Sequence, residues 1–294
     1  MTTTPTTPTA TTRRPAHSHT SLGGASLLGA LRWEVRKLRA QYRARAVLLG
    51  ALLGPIPVVV IIHGQSRPPK DTLLGRFATE NAFALALLVL SFAAQWVLPL
   101  LTAVVAGDIF ASEDQHGTWK TVLTRSTSRA QLFWAKTLTA GGFAVVMLAV
   151  LAASTIVATM VVLGQDPMLG LSGQTIPAGT ALRLVAESWA TVLAPTLGFT
   201  CLAIVLSVWS RNPAVGIAAP VVLGMVMQLV GALGGVEAIR PYLLTTPFES
   251  WHGFFTEPQF TGPLVQGLVV SGCWSALALA AAFLMLRRRD ITGG

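Results

Sequence analysis

Apolar residues along this chain gather into six long runs, 46–62, 82–106, 138–163, 188–208, 214–236 and 264–286, and none of them contains an Asp, Glu, Lys, Arg or His. At 1.5 Å per residue, about 20 residues of helix cross a hydrocarbon core of about 30 Å. The pattern therefore predicts six transmembrane helices. The first run is short and carries Pro55 and Pro57, which leaves its far end the least defined. Pro99, Pro195 and Pro220 lie inside later runs; each removes a backbone donor and predicts a kink that neighbouring helices must accommodate.

Polar patterning organises the remainder. Residues 1–20 are rich in Thr and Pro without apolar periodicity and read as a disordered tail. Arg13-Arg14 is followed by no apolar segment of the kind a twin-arginine signal needs, and His17 and His19 have no further ligand nearby. Over 21–45 the chain turns amphipathic. Leu31, Val35, Leu38 and Tyr42 recur at helical spacing, and Arg32, Arg36, Arg39 and Arg43 repeat one position later. Such a helix lies in the headgroup plane with its arginines at the lipid phosphates, or serves only as a basic flank that orients the first span. Residues 46–294 form the six-span domain.

Two connections stand out. Between the second and third runs, 107–137 holds Asp108, Glu113 and Asp114 together with Lys120, Arg125, Arg129 and Lys136. Gly117 is a helix stop, and Ser128-Arg-Ala-Gln131 is a capping box opening the third span. Residues 119–124 suffice for about two helical turns across the membrane face, with Trp119 exposed, an arrangement suited to docking a protein. Asn212 followed by Pro213 reads as the cap and first residue of the fifth helix. The segment 237–263 concentrates Tyr242, Phe248, Trp251, Phe254, Phe255 and Phe260, as expected of short helices in the outer interface or of an ordinary outer loop.

Composition excludes a soluble protein. Of 294 residues 52% are hydrophobic and only 11% charged, against about 25% charged in soluble domains. The net charge of +9 would fit nucleic acid, but its distribution says otherwise. Sixteen of the 21 Lys and Arg residues fall in the N-terminal segment, the second-to-third and fourth-to-fifth connections and the C-terminus. The positive-inside rule then places both termini in the cytoplasm and assigns the basic residues to the inner membrane rim, with no nucleic-acid partner. Cys201 and Cys273 both lie in apolar runs and offer neither a disulfide framework nor a metal spacing.

The missing chemistry is equally informative. Acid–base catalysis or proton coupling within the membrane needs ionisable groups there, and the runs supply none. No phosphate-binding loop of the Gly-x-x-x-x-Gly-Lys-Ser/Thr type occurs. Leu171-Ser-Gly-Gln174 is a fragment of the signature of ATP-binding cassette ATPases, yet it lies in an outer connection without any phosphate loop and reads as coincidence. Ser91, Gln95 and Thr102 recur at helical spacing on the second span, and Gln228 lies in the fifth. They line a path for an amphiphilic solute or act as interhelical hydrogen-bonding glue. Gly50-x-x-x-Gly54 and Gly231-x-x-x-Gly235 permit close helix packing.

Glu113, Gly117-Thr118, Leu123, Ser126, Ser128-Arg129 and Lys136 resemble the first intracellular loop of ABC-2 type transporter permeases, Glu…Gly-Thr…Leu-Leu…Pro-x-Ser-Arg…Lys, with Ser126 departing from the usual Pro. The amphipathic N-terminal helix, the six spans and the long outer segment extend the resemblance over nearly the whole chain after the tail. It implies that the loop carries a coupling helix docking on a separate cytoplasmic ATPase subunit, which holds the ATP and Mg. It further implies a working unit of two six-span permeases, identical or homologous, with two ATPase domains. Expected coupling residues are Glu113, Gly117, Thr118, Trp119, Arg125 and Arg129, with Glu113 and Arg129 making polar contacts or bracing the loop. The expected function is the plasma-membrane permease of an exporter of drugs, peptide antibiotics or lipids, with no catalytic residue, metal or cofactor on this chain. A non-transporting membrane scaffold docking another cytoplasmic partner and an ATP-independent carrier are the alternatives.

Overall fold

The computed structural model describes residues 27–65, 74–117 and 128–288. Its helices are α1 (Leu27–Ala40), α2 (Tyr42–Leu53), α3 (Pro55–His63), α4 (Ala82–Phe92), α5 (Leu98–Ala106), α6 (Ala111–Gln115), α7 (Arg129–Leu163), α8 (Ala178–Thr191), α9 (Leu193–Ser210), α10 (Pro213–Ala232) and α11 (Gly262–Arg288). Six stretches are long and apolar enough to cross a membrane: Tyr42–His63, Ala82–Ala106, Arg129–Leu163, Ala178–Ser210, Pro213–Ala232 and Gly262–Arg288. The chain is thus an all-α integral membrane protein. Residues 1–20, and with them the expected tail, lie outside the described residues.

Span boundaries move where charge had truncated the apolar runs. The fourth span begins ten residues before Ser188, at Ala178, because Arg183 and Glu187 face out on α8 as an i,i+4 pair 3.8 Å apart. It breaks at Val192, so Pro195 falls in the first turn of α9 and kinks nothing. In the first span, Gly54 keeps helical dihedrals and Pro55 opens α3, which carries the helix on to His63. The second span does depart from a regular α-helix. Pro99 has no N–H to give, and just before it the ladder widens into a π turn over Ala93–Val97, Leu98 N–H reaching back to Ala93 O.

Packing places the second span at the centre. Every residue of α4 from Ala82 to Leu90 is buried, as a helix apolar all round must be inside a bundle. Phe83, Leu87 and Leu90 share one core with Met147 and Leu151 of α7, Leu184 and Trp189 of α8, and Phe199 of α9. A second core joins Ala103 and Phe110 to Phe133 of α7, Ile204 and Val208 of α9, and Ala282 and Leu286 of α11. In contrast, α10 and α11 turn Val222, Leu229, Leu268 and Leu277 outward.

The two ends of the bundle differ in chemistry. At the aromatic end, Asn81 caps α4 through Phe83 N–H and Ala84 N–H and donates to the carbonyls of Asp166 and Pro167. A two-stranded antiparallel hairpin, β1 (Met168–Leu169) and β2 (Thr175–Ile176), packs there against a 3-10 segment, Thr246–Phe255, which buries Phe248, Trp251 and Phe255. The Leu171–Gln174 fragment is the tip of this hairpin: Gly173 takes φ +83°, and Gln174 Nε2 donates to Phe255 O at 3.0 Å. Its residues serve a turn. Glu237 Oε1 accepts the Gly235 N–H at 3.0 Å, which holds its carboxyl below the usual carboxylate range. At the opposite, basic end, Arg129 Nη1 donates to Arg287 O and Ser207 of α9 bonds to the backbone entering α6.

Candidate functional site

At the basic end the second span leaves the bundle through a tight crossing. A Cβ placed on Gly107, just past α5, would lie 2.2 Å from Gly216 O on α10, and one on Gly216 would lie 2.3 Å from Gly107 O. Only hydrogen at both positions lets the two backbones touch. The chain then runs through Asp108 into α6, whose entry is fixed from α9. Ser207 Oγ accepts the amides of Phe110 (3.3 Å) and Ala111 (3.0 Å), two donors that a helix start otherwise leaves unpaired. Gly117 ends the segment in the left-handed region, φ +62°, as its role of helix stop requires.

These restraints aim Glu113 into the protein. Its side chain is 4% exposed, and Oε1 lies 2.5 Å from Lys37 Nζ of α1 and 3.0 Å from Lys136 Nζ of α7. Lys136 is itself fully buried; it also reaches Glu34 Oε1 of α1 at 3.1 Å and stands 5.9 Å from the Phe110 ring centre. Among the described residues, two carboxylates and two ammoniums thus meet in one cluster across α1, α6 and α7. A second pair grips the same segment from the other side of the α1–α2 break: Arg43 Nη1 donates to Asp108 Oδ1 at 2.8 Å. The break falls at Gln41, with φ −73° and ψ 130°.

Burial of the cluster is costly unless every charge stays paired, since a buried ion repays its desolvation only through its partners. Shifting α6 therefore either drags α1 and α7 along or leaves Lys136 and Glu34 to each other alone. Such an arrangement can pass displacement from the 107–117 segment into two helices at once.

Of the residues singled out from the sequence, Glu113 and Gly117 belong to this site, and Arg129 stands close by, on the first turn of α7 with its guanidinium on the last turn of α11. The Ser128–Gln131 capping box is formed, each side chain bonded to the other's backbone. Asn212 caps α10 through Ala214 N–H at 2.9 Å. Thr118, Trp119 and Arg125, and the two-turn helix expected over 119–124, lie outside the described residues.

The four polar span residues differ in burial and bonding. Thr102 is buried and donates to the carbonyls of Leu98 and Pro99, while Ser91 is half-buried and donates to Leu87 O. Gln95 lies half-buried in the π turn, and Gln228 half-buried on α10, which packs against that turn.

Two expectations need correction. Over its described residues the helix expected at 21–45 is two helices, broken at Gln41. Glu34 and Leu38 are buried, whereas Val35 and Tyr42 are exposed, because the Glu34–Lys136 pair rotates that edge of α1 onto α7. Lys136, counted as a loop residue by its distance from the apolar run, is inside α7. The cap at Ser128 was the available signal, for it starts the helix early enough to enclose Lys136. No pattern in the sequence marked Glu34, Lys37 or the Arg43–Asp108 pair as its companions.

Among the described residues no three His, Cys, Asp or Glu side chains gather as a metal site. No curated protein matches the chain. The family model for ABC-2 family transporter proteins matches residues 30–230, a range that holds the ion cluster, the Gly107–Gly216 crossing, the first four spans and all but the end of the fifth. With its six apolar helices and this match over most of its length, the chain belongs to the ABC-2 transporter family as a multi-pass membrane permease component.

Proposed function

We propose that this chain is the transmembrane subunit of an ATP-driven exporter in the plasma membrane, with both termini in the cytoplasm. ABC-2 permeases normally work with a cytoplasmic ATPase. Here ATP and Mg are held on such a subunit, which docks on the loop between the second and third spans, residues 107–137. Closure of its nucleotide sites moves that loop, and two copies of the permease, or this one and a homologue, reorient a cavity between them. The observation that carries the reading is the position of Glu113, gripped by Lys37 and Lys136 at once. A displacement of the loop enters α1 and α7 together rather than being lost in a flexible connection.

The cargo is hydrophobic or amphiphilic, a drug, peptide antibiotic or lipid, because the apolar runs offer no charge to receive an ion. Gln95 and Gln228, half-buried on adjoining elements, are the residues placed to meet its polar groups. Affinity purification from the native membrane tests the partnership. An ATPase subunit carrying a phosphate-binding loop should accompany the chain and be lost when residues 119–124 are deleted. Recovery of no ATPase, or equal recovery after the deletion, overturns the docking reading.

A further inference from the structure

The basic residues of α1 divide into two sets. Lys37 turns inward to Glu113, and across the break Arg43 is paired with Asp108. Arg32, Arg36 and Arg39 turn outward; all three are exposed, and among the described residues none has a carboxylate within ion-pair distance. At 100° per residue they share one strip of the helix. The strip beside it, between the arginines and the buried edge, is apolar: Leu28 is 64% exposed, Val35 38%, and Leu31 half-buried. Arg45 folds back across the Gln41 break to donate to Arg39 O at 2.8 Å, adding a fourth guanidinium at the end of the strip.

An exposed apolar strip bordered by unpaired arginines, on a helix leading directly into a membrane span, has the chemistry of an acyl boundary below and phosphates above. An acidic protein surface would complement the arginines but leave Leu28 and Val35 in water. Zwitterionic headgroups would meet the apolar strip without neutralising the charge. Anionic phospholipid satisfies both.

We propose that Arg32, Arg36 and Arg39 bind the headgroups of anionic phospholipids, and that the bound lipid holds α1 where Lys37 and Glu34 grip Glu113 and Lys136. The lipid is then part of the latch: seated, it stiffens the anchor against which the 107–117 segment pulls; absent, three like charges share one face of α1. The second half of this inference rests on the reading of that segment as the coupling element, while lipid binding itself does not.

Native mass spectrometry of the purified full chain, equilibrated with phosphatidylglycerol or with phosphatidylcholine, tests the binding. Phosphatidylglycerol should be retained preferentially. Each arginine near an anionic surface contributes about fivefold, so R32Q/R36Q/R39Q should cut the preference by about a hundredfold, whereas the corresponding triple lysine variant should keep most of it. Raising the salt should erode it, since exposed charges are screened within about 10 Å at 0.1 M. Equal binding of the two lipids, or a preference unchanged in the glutamine variant, overturns the proposal; displacement by soluble glycerophosphoglycerol at equal concentration overturns the lipid surface in favour of a free-phosphate site. The lysine variant also separates lost charge from lost folding. Hydrogen exchange of residues 107–117 tests the latch without any ATPase: phosphatidylglycerol should slow it several-fold in the native chain and not in the glutamine variant. Unaltered exchange with lipid bound overturns the latch, and does so independently of whether an ATPase docks.

Discussion

Lys136 Nζ lies 3.0 Å from Glu113 Oε1, with side chains 1% and 4% exposed, and this contact fastens the opening turns of the third span to the short helix that follows the second. Among the described residues, Lys136 is the one fully buried lysine.

Removing the lysine should therefore be expensive. Lys136→Met takes from buried Glu34 the ammonium it is paired with and from Glu113 one of the two lysines that hold it, a change that costs about 3–5 kcal/mol. In a double-mutant cycle with Glu113→Gln the two losses should fall well short of additive, because both substitutions remove the same Lys136–Glu113 contact. Thermal unfolding in detergent, followed by circular dichroism, measures both.

Ser207→Ala removes the acceptor shared by the amides of Phe110 and Ala111. Both lie in a buried turn, so the expected loss is about 1–3 kcal/mol. It should be local: hydrogen exchange should rise at Phe110 and Ala111 more than along α9.

The crossing of α5 and α10 has no room for a methyl group. Gly107→Ala and Gly216→Ala each force backbone against backbone and should destabilise by about 1–3 kcal/mol or more. Gly142→Ala, in the middle of α7 with nothing within 4 Å of the added carbon, is the control, expected to be neutral or stabilising by up to about 1 kcal/mol. Melting temperatures of the three variants should separate accordingly.

The spans were legible because hydrocarbon demands uninterrupted apolar helix; the second run coincides with its span from Ala82 to Ala106. Caps were legible for a similar reason, since Ser128, Asn212 and Gly117 act on neighbours a few residues away. What stayed hidden is long-range. Glu34 and Lys136 are 102 residues apart in the chain, and neither has a local pattern that announces the other. Charge treated as a marker of loops likewise hid Lys136, which is inside because two carboxylates neutralise it.

The central claim is that movement of the 107–117 segment reaches the membrane helices through Glu113. Lys37 tests it most directly: its side chain is 34% exposed, so Lys37→Gln removes the direct contact between α1 and α6 and leaves them joined only through the buried Lys136. In vesicles containing this chain and its ATPase subunit, the quantity to measure is ATP-driven accumulation of an amphiphilic dye per ATP hydrolysed. That ratio should fall about tenfold or more in the variant while hydrolysis continues and the ATPase still copurifies. A ratio equal to that of the unaltered chain would contradict the account.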